Sequence, residues 1–244
     1  FMEWFGRSSK AYDFAMFSMS HFAALTIFLV ISVLIFLNRK KLRNRNWHKA
    51  EIGAAVSLII FEITYHIWMV VNGSWNLKNS IPLELCNISL ILCVFLLLTR
   101  KKIIFEILFF TALLGATQAI FTPALNYDFP HFRFFHFFYA HMMVVWATLY
   151  FIWVKRYHPT FFSILKLIVF LNILLPVILL VNKLTNGNYW FLRHKPEGPS
   201  LLDALGPYPW YILSLEGVLV VLSLIAWLIF RKWEKKHPHA HHHM

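Results

Sequence analysis

Seven continuous apolar runs, at residues 14–37, 51–71, 81–98, 103–121, 134–154, 161–181 and 209–230, constrain this chain more than any other feature. Each suits a hydrocarbon core of about 30 Å, which a helix of roughly 20 apolar residues crosses. Short polar connections separate them. With 59% hydrophobic and 14% charged residues, the expected solvent is lipid. A membrane β-barrel would alternate over segments of about ten residues. These runs do not alternate, so the expected fold is all-α: one polytopic bundle of seven transmembrane helices over residues 1–236.

The formal net charge of +12 invites a nucleic-acid reading, and the placement of the basic residues argues against one. Arg39, Lys40, Lys41, Arg43, Arg45 and Lys49 lie between the first two runs. Arg100 to Lys102 follow the third, Lys155 and Arg156 the fifth, and Arg231, Lys232, Lys235 and Lys236 the last. By the positive-inside rule these loops are cytoplasmic, and odd helix parity places the N-terminus outside and the C-terminus in the cytoplasm of a cell-membrane protein. Anionic inner-leaflet lipid accounts for the charge. The first run lacks a basic leader and ends in a basic stop, so it reads as a retained helix. The His-rich tail, residues 237–244, reads as tag-derived or unstructured.

Cys86 and Cys93 are seven apart on one predicted helix, too far for a disulfide between them. No phosphate loop, CxxC pair or HExxH motif is present. What stands out is depth. Counted along the runs at 1.5 Å per residue, His66, Cys86, His141, Glu216 and Glu62 fall about 8 to 13 Å below the outer ends. His21, Glu84, Asn87, Gln118 and His136 share that half, whereas Glu106 and Lys166 lie close enough to the cytoplasmic ends to snorkel. Intramembrane ionisable residues mark functional sites by default. A polar cavity opening toward the outer leaflet follows. Glu62 and His66, four apart, share a helical face and can meet, whereas His136 and His141, five apart, diverge by about 140°.

A thiol becomes nucleophilic when a neighbouring base favours thiolate, and an imidazole that takes its proton can later return it to a leaving group. Cys86 and His141 fit that chemistry, with Glu62 or Glu216 able to orient an imidazole. Below the headgroups such a pair reaches a glycerolipid ester. Two other readings stay open: a metal-dependent amidase or esterase using His66, His141, Glu62 and Cys86, and a transporter or sensor built on a Glu/His relay. The first lacks paired HxxxH spacing; the second lacks polar groups in the inner half and any inverted repeat.

The segment PLELCN (82–87), the segment FPHFRFF (129–135) leading into His141, and NYWFLRHKPEGPSLLDALGPYPWY (188–211) resemble the YwaF family of bacterial integral membrane proteins, related to the mammalian transmembrane protein 164 acyltransferase. The resemblance implies a seven-helix lipid acyltransferase without a cofactor, with Cys86 as nucleophile, His141 as catalytic histidine, and membrane phospholipid as acyl donor or acceptor. Glu62 matches a glutamate of the second helix. Asn87 stands where the mammalian branch has His, and His66 where it has Lys. In the last long loop Arg193, His194 and Lys195 can meet a lipid phosphate. Its prolines and glycines, among them Pro196, Gly198, Pro199, Gly206, Pro207 and Pro209, predict ordered turns that serve as a lid.

Overall fold

The computed structural model describes residues 3–8, 10–196 and 201–236, the last five of these and residue 201 by backbone alone. The His-rich tail, Gly198 and Pro199 lie outside the described residues. Among the described residues seven long helices follow one another: α1 Met19–Arg43, α2 His48–Val71, α3 Leu85–Thr99, α4 Lys102–Phe121, α5 Phe132–Trp153, α6 Phe161–Thr185 and α7 Trp210–Lys236. Six are long and apolar enough to cross a membrane, and α3, with 15 residues, is shorter. Among the described residues there is no strand, only an isolated bridge between Asp13 and Tyr127.

Helix starts depart from the apolar runs where local chemistry intervenes. Ser18, extended, caps α1 by accepting the His21 N–H at 3.4 Å, so α1 starts five residues later than its run. The third run starts at residue 81, yet α3 starts at Leu85. Pro82 disfavours helical backbone before it, the Leu83 N–H turns back to the Ile81 carbonyl at 2.7 Å, and Glu84 is extended. Cys86 therefore stands in the first turn of α3, not partway along it. α4 is interrupted by a π segment, Thr111–Ala116, a feature frequent near functional sites.

Helix α5 is the hub, packing against α1, α2, α3 and α4, with over half of its apolar window buried. Helix α6 packs on α4, and α7 on α6. Phe105, Phe109, Phe110 and Phe151 fill the centre with no exposed surface. Lipid is as apolar as these side chains, so close packing and interhelical hydrogen bonds hold the helices together. The outward faces, including Ile27, Ile59, Ile63, Val169, Ile173 and Val221, stay apolar and exposed, as a bilayer requires.

At the basic end Glu51 is buried and ties three helix ends together. Its carboxylate accepts from the Tyr150 hydroxyl at 2.7 Å and Arg100 Nε at 2.6 Å, with Lys155 Nζ at 3.1 Å. Glu106 corrects the expectation of snorkelling. It is 2% exposed, accepts from Ser163 at 3.0 Å and pairs with Lys166. A carboxylate enclosed in an apolar bundle is held by a cation and a hydroxyl.

At the opposite end the N-terminal segment lies over α2 and α5. Trp68 Nε1 and Asn72 Nδ2 donate to the Phe5 carbonyl at 2.9 and 3.2 Å, and His131 Nε2 donates to the Gly6 carbonyl at 2.9 Å. The loop after α6 is bound to the segment entering α3. Tyr189 donates to the Leu77 carbonyl and accepts from the Ile81 N–H at 2.9 and 3.0 Å, and Trp190 Nε1 donates to the Leu83 carbonyl at 2.7 Å. Gly187 permits this approach, because a Cβ there would stand 2.6 Å from the Lys78 carbonyl oxygen.

Candidate functional site

Glu62, on the second half of α2, is the centre of a polar chain. Its Oε2 lies 3.1 Å from His136 Nε2 on α5, and its Oε1 accepts from Asn87 Nδ2 on α3 at 3.3 Å. His66, one turn along α2, places Nε2 3.6 Å from the same carboxylate. Three helices converge there. Their hydrogen bonds also assign the tautomers. Arg133 Nη1 donates to His136 Nδ1 at 2.8 Å, so His136 carries its proton on Nε2 and gives it to Glu62. Trp75 Nε1 donates to His66 Nδ1 at 3.2 Å, which leaves the proton of that imidazole on Nε2, facing Glu62.

Arg133 is the member of this chain that the sequence does not single out. Its guanidinium lies 4.0 Å from the Tyr65 ring centroid, and Tyr65 stacks on His136 at 4.4 Å. Its helical spacing was the available signal: Arg133 and His136 are three apart, so they share a face of α5.

Among the described residues the two candidate catalytic residues make no hydrogen bond to this chain or to each other. Cys86 is exposed in the first turn of α3, one residue before Asn87, and among the described residues its thiol makes no hydrogen bond. Cys93, one heptad on, is buried. His141 is half-buried and donates Nδ1–H to the Phe137 carbonyl at 2.7 Å, which leaves the Nε2 lone pair free to accept a proton.

Beside this chain an apolar groove of about 460 Å³ runs along the exposed face of α2, lined by Ile63, Ile67, Val70, Val71 and Pro82, with Glu62 and His66 at its polar side.

A model of the TMEM164 family matches residues 16–227. The chain belongs to the TMEM164 family. No curated protein and no solved structure matches it significantly. As a TMEM164-family chain with six long apolar helices, it is a multi-pass membrane protein.

Within this TMEM164-family bundle the other sequence candidates lie apart from the polar chain. His21 is buried on α1, accepting from the Phe17 N–H at 3.0 Å and donating to the Ile120 carbonyl at 3.0 Å, which joins α1 to α4. Glu216 accepts from Asn172 at 2.6 Å between α7 and α6. Gln118 is exposed on α4. Glu84 accepts from the Trp190 N–H at 3.4 Å, which latches the last long loop to the residue before α3. Of the loop cations, Arg193 donates to the Asn182 and Gly187 carbonyls, both at 3.4 Å. Lys195 lies 3.8 Å from Asp203, and His194 Nδ1 is 2.9 Å from the Lys195 carbonyl. Among the described residues no three His, Cys, Asp or Glu side chains converge to hold a metal ion.

Proposed function

We propose that this protein transfers or hydrolyses acyl chains of membrane phospholipid through a thioester on Cys86. The Cys86 sulfur attacks the ester carbonyl carbon while His141 Nε2 takes the thiol proton. The tetrahedral intermediate collapses, the ester C–O bond breaks, and the departing alkoxide receives that proton from His141. A hydroxyl acceptor or water then attacks the thioester by the reverse sequence and releases the thiol.

The observation that carries this reading is the junction of the apolar groove with the Glu62 chain, adjoining Cys86 through Asn87. An acyl chain lying along Ile63, Ile67 and Val70 meets Glu62 and His66 at the polar side of the groove. One residue before Asn87, which donates to Glu62, an exposed thiol stands in the first turn of α3, and His141, with Nδ1 engaged by the Phe137 carbonyl, keeps Nε2 available as a general base.

The same reading extends to topology: all seven helices cross, with the N-terminus outside and the C-terminus in the cytoplasm. The 15 residues of α3 rise roughly 22 Å, and the segment 81–84 leads into it. Arg39 to Arg45, Arg100 and Lys155 all belong to one end of the bundle, which supports that end as cytoplasmic and the Cys86 end as outer.

The test is incubation of purified protein with acyl-labelled phospholipid, followed by hydroxylamine. A hydroxylamine-sensitive adduct that disappears in Cys86→Ala is the expected result. An adduct of equal yield in that variant would sink the cysteine mechanism.

A further inference from the structure

Arg133 is a cation without a carboxylate. Among the described residues no Asp or Glu lies within ion-pair distance of it, and its one hydrogen-bond partner is His136, through Nη1. Nε and Nη2 remain without a protein acceptor among the described residues. A half-buried guanidinium normally finds an anion for those donors, and its planar fork fits the paired oxygens of a phosphate. His136 keeps this cation unquenched. It accepts from Arg133 on one nitrogen and donates to Glu62 from the other, so cation and carboxylate sit one imidazole apart. Stacking on Tyr65 at 4.0 Å fixes the guanidinium plane before any ligand arrives.

Depth points the same way. Arg133 is the second residue of α5, at the end of the bundle where headgroups lie, and about 4.5 Å nearer that end than His136. Glu62 lies on the far side of His136 from Arg133, and the groove rises from Glu62 along α2 to Val71 and Pro82 at the end that holds Arg133. Arg133 thus stands at the level where a glycerophospholipid carries its phosphate. The loop cations that the sequence suggested for this task are engaged by the protein itself: Arg193 with the carbonyls of Asn182 and Gly187, and Lys195 beside Asp203.

From this arrangement we propose that Arg133 binds the phosphate of the phospholipid whose ester meets Cys86, and thereby selects phosphate-bearing lipids over neutral glycerides. The assignment rests on the reading of this end of the bundle as a lipid site, and its test is independent of acyl transfer. Protein carrying Cys86→Ala, which cannot turn over, is titrated in detergent with a phosphatidylglycerol, with a diacylglycerol of the same chains, and with inorganic phosphate, and binding is read by native mass spectrometry and thermal shift.

The expected result is phosphatidylglycerol binding about 10-fold tighter than diacylglycerol, a preference lost in Arg133→Gln and partly kept in Arg133→Lys, which retains charge without the fork. Equal binding of the two lipids by the parent protein overturns the proposal without any Arg133 variant having to fold. So does an unchanged preference in Arg133→Gln. Binding of inorganic phosphate without a preference between the lipids would make the site one for a free anion, and would overturn the lipid assignment. The thioester experiment on Cys86 is unaffected by any of these outcomes.

Discussion

Glu62 and His136, 74 residues apart in the chain, meet at 3.1 Å where α2 crosses α5, and Asn87 and His66 turn toward the same carboxylate. Cutting any one of these links removes a partner from a group that lipid cannot solvate. Glu62→Leu should therefore destabilise the bundle by about 1–3 kcal/mol, the cost of leaving enclosed donors unmatched. Glu62→Gln, which keeps an acceptor for His136, should cost less. Thermal unfolding in detergent checks the order, and equal losses for the two variants would show that the charge rather than the hydrogen bonding matters.

The two thiols should separate cleanly by chemistry. Cys86 is exposed and Cys93 has no exposed surface. Maleimide added to folded protein should label Cys86 alone, and Cys93 only after denaturation. Mass spectrometry of the labelled peptides reads this directly. Cys86→Ala should abolish lipid turnover with little effect on unfolding temperature, whereas Cys93→Ala should leave turnover and lower stability by about 1 kcal/mol through the cavity it opens.

His131 ties the N-terminal segment to the start of α5 in its neutral form. Nδ1 accepts the Arg133 N–H at 3.1 Å as the helix cap, and Nε2 donates to the Gly6 carbonyl. Burial, with the nearby Arg133 charge adding to it and the Gly6 hydrogen bond opposing it, holds its pKa below the ordinary value. An unfolded chain then takes up this proton at a higher pH than the native one, so the contribution of His131 to stability is full above about pH 6.5 and is lost as pH falls from there toward the depressed native value. His131→Asn, which can still cap, should flatten that part of the stability curve. A curve of unchanged slope would remove His131 as its source.

At the other end Glu51 holds Arg100, Lys155 and Tyr150. Glu51→Ala should cost about 3–5 kcal/mol by stranding enclosed cations, and Tyr150→Phe about 1 kcal/mol. Neither should change lipid turnover per folded molecule, since both residues lie at the end away from Cys86. A selective loss of turnover in Tyr150→Phe would show that the two ends are coupled.

Seven crossings with an outer N-terminus require that residues 126 and 236 lie on opposite sides of the membrane. Phosphatase and fluorescent-protein fusions at the two positions should report periplasm-like and cytoplasmic environments respectively. Matching reports would remove one crossing among α5, α6 and α7, the helices between the two positions.

The seven helices were legible because each is written as a long apolar run, and a run that must satisfy its own backbone in lipid has only the helix available to it. The pairing of Glu62 with His66 was legible as well, since residues four apart on a helix share a face. Helix starts were less so: Pro82 and the extended Glu84 moved α3 four residues on and brought Cys86 to its mouth, because apolarity marks what is solvated by lipid and not where the backbone begins to coil. His136 and Arg133 could be placed only by the crossing of α2 and α5, because hydropathy ranks residues by depth and carries no azimuth. By itself the sequence determined a helical membrane bundle with basic residues gathered at one end and polar ones near the other. Only the tertiary structure decided which of those polar groups meet, by setting helix against helix so that a buried carboxylate found its donors while His21 and Glu216, at similar depth, turned to other partners.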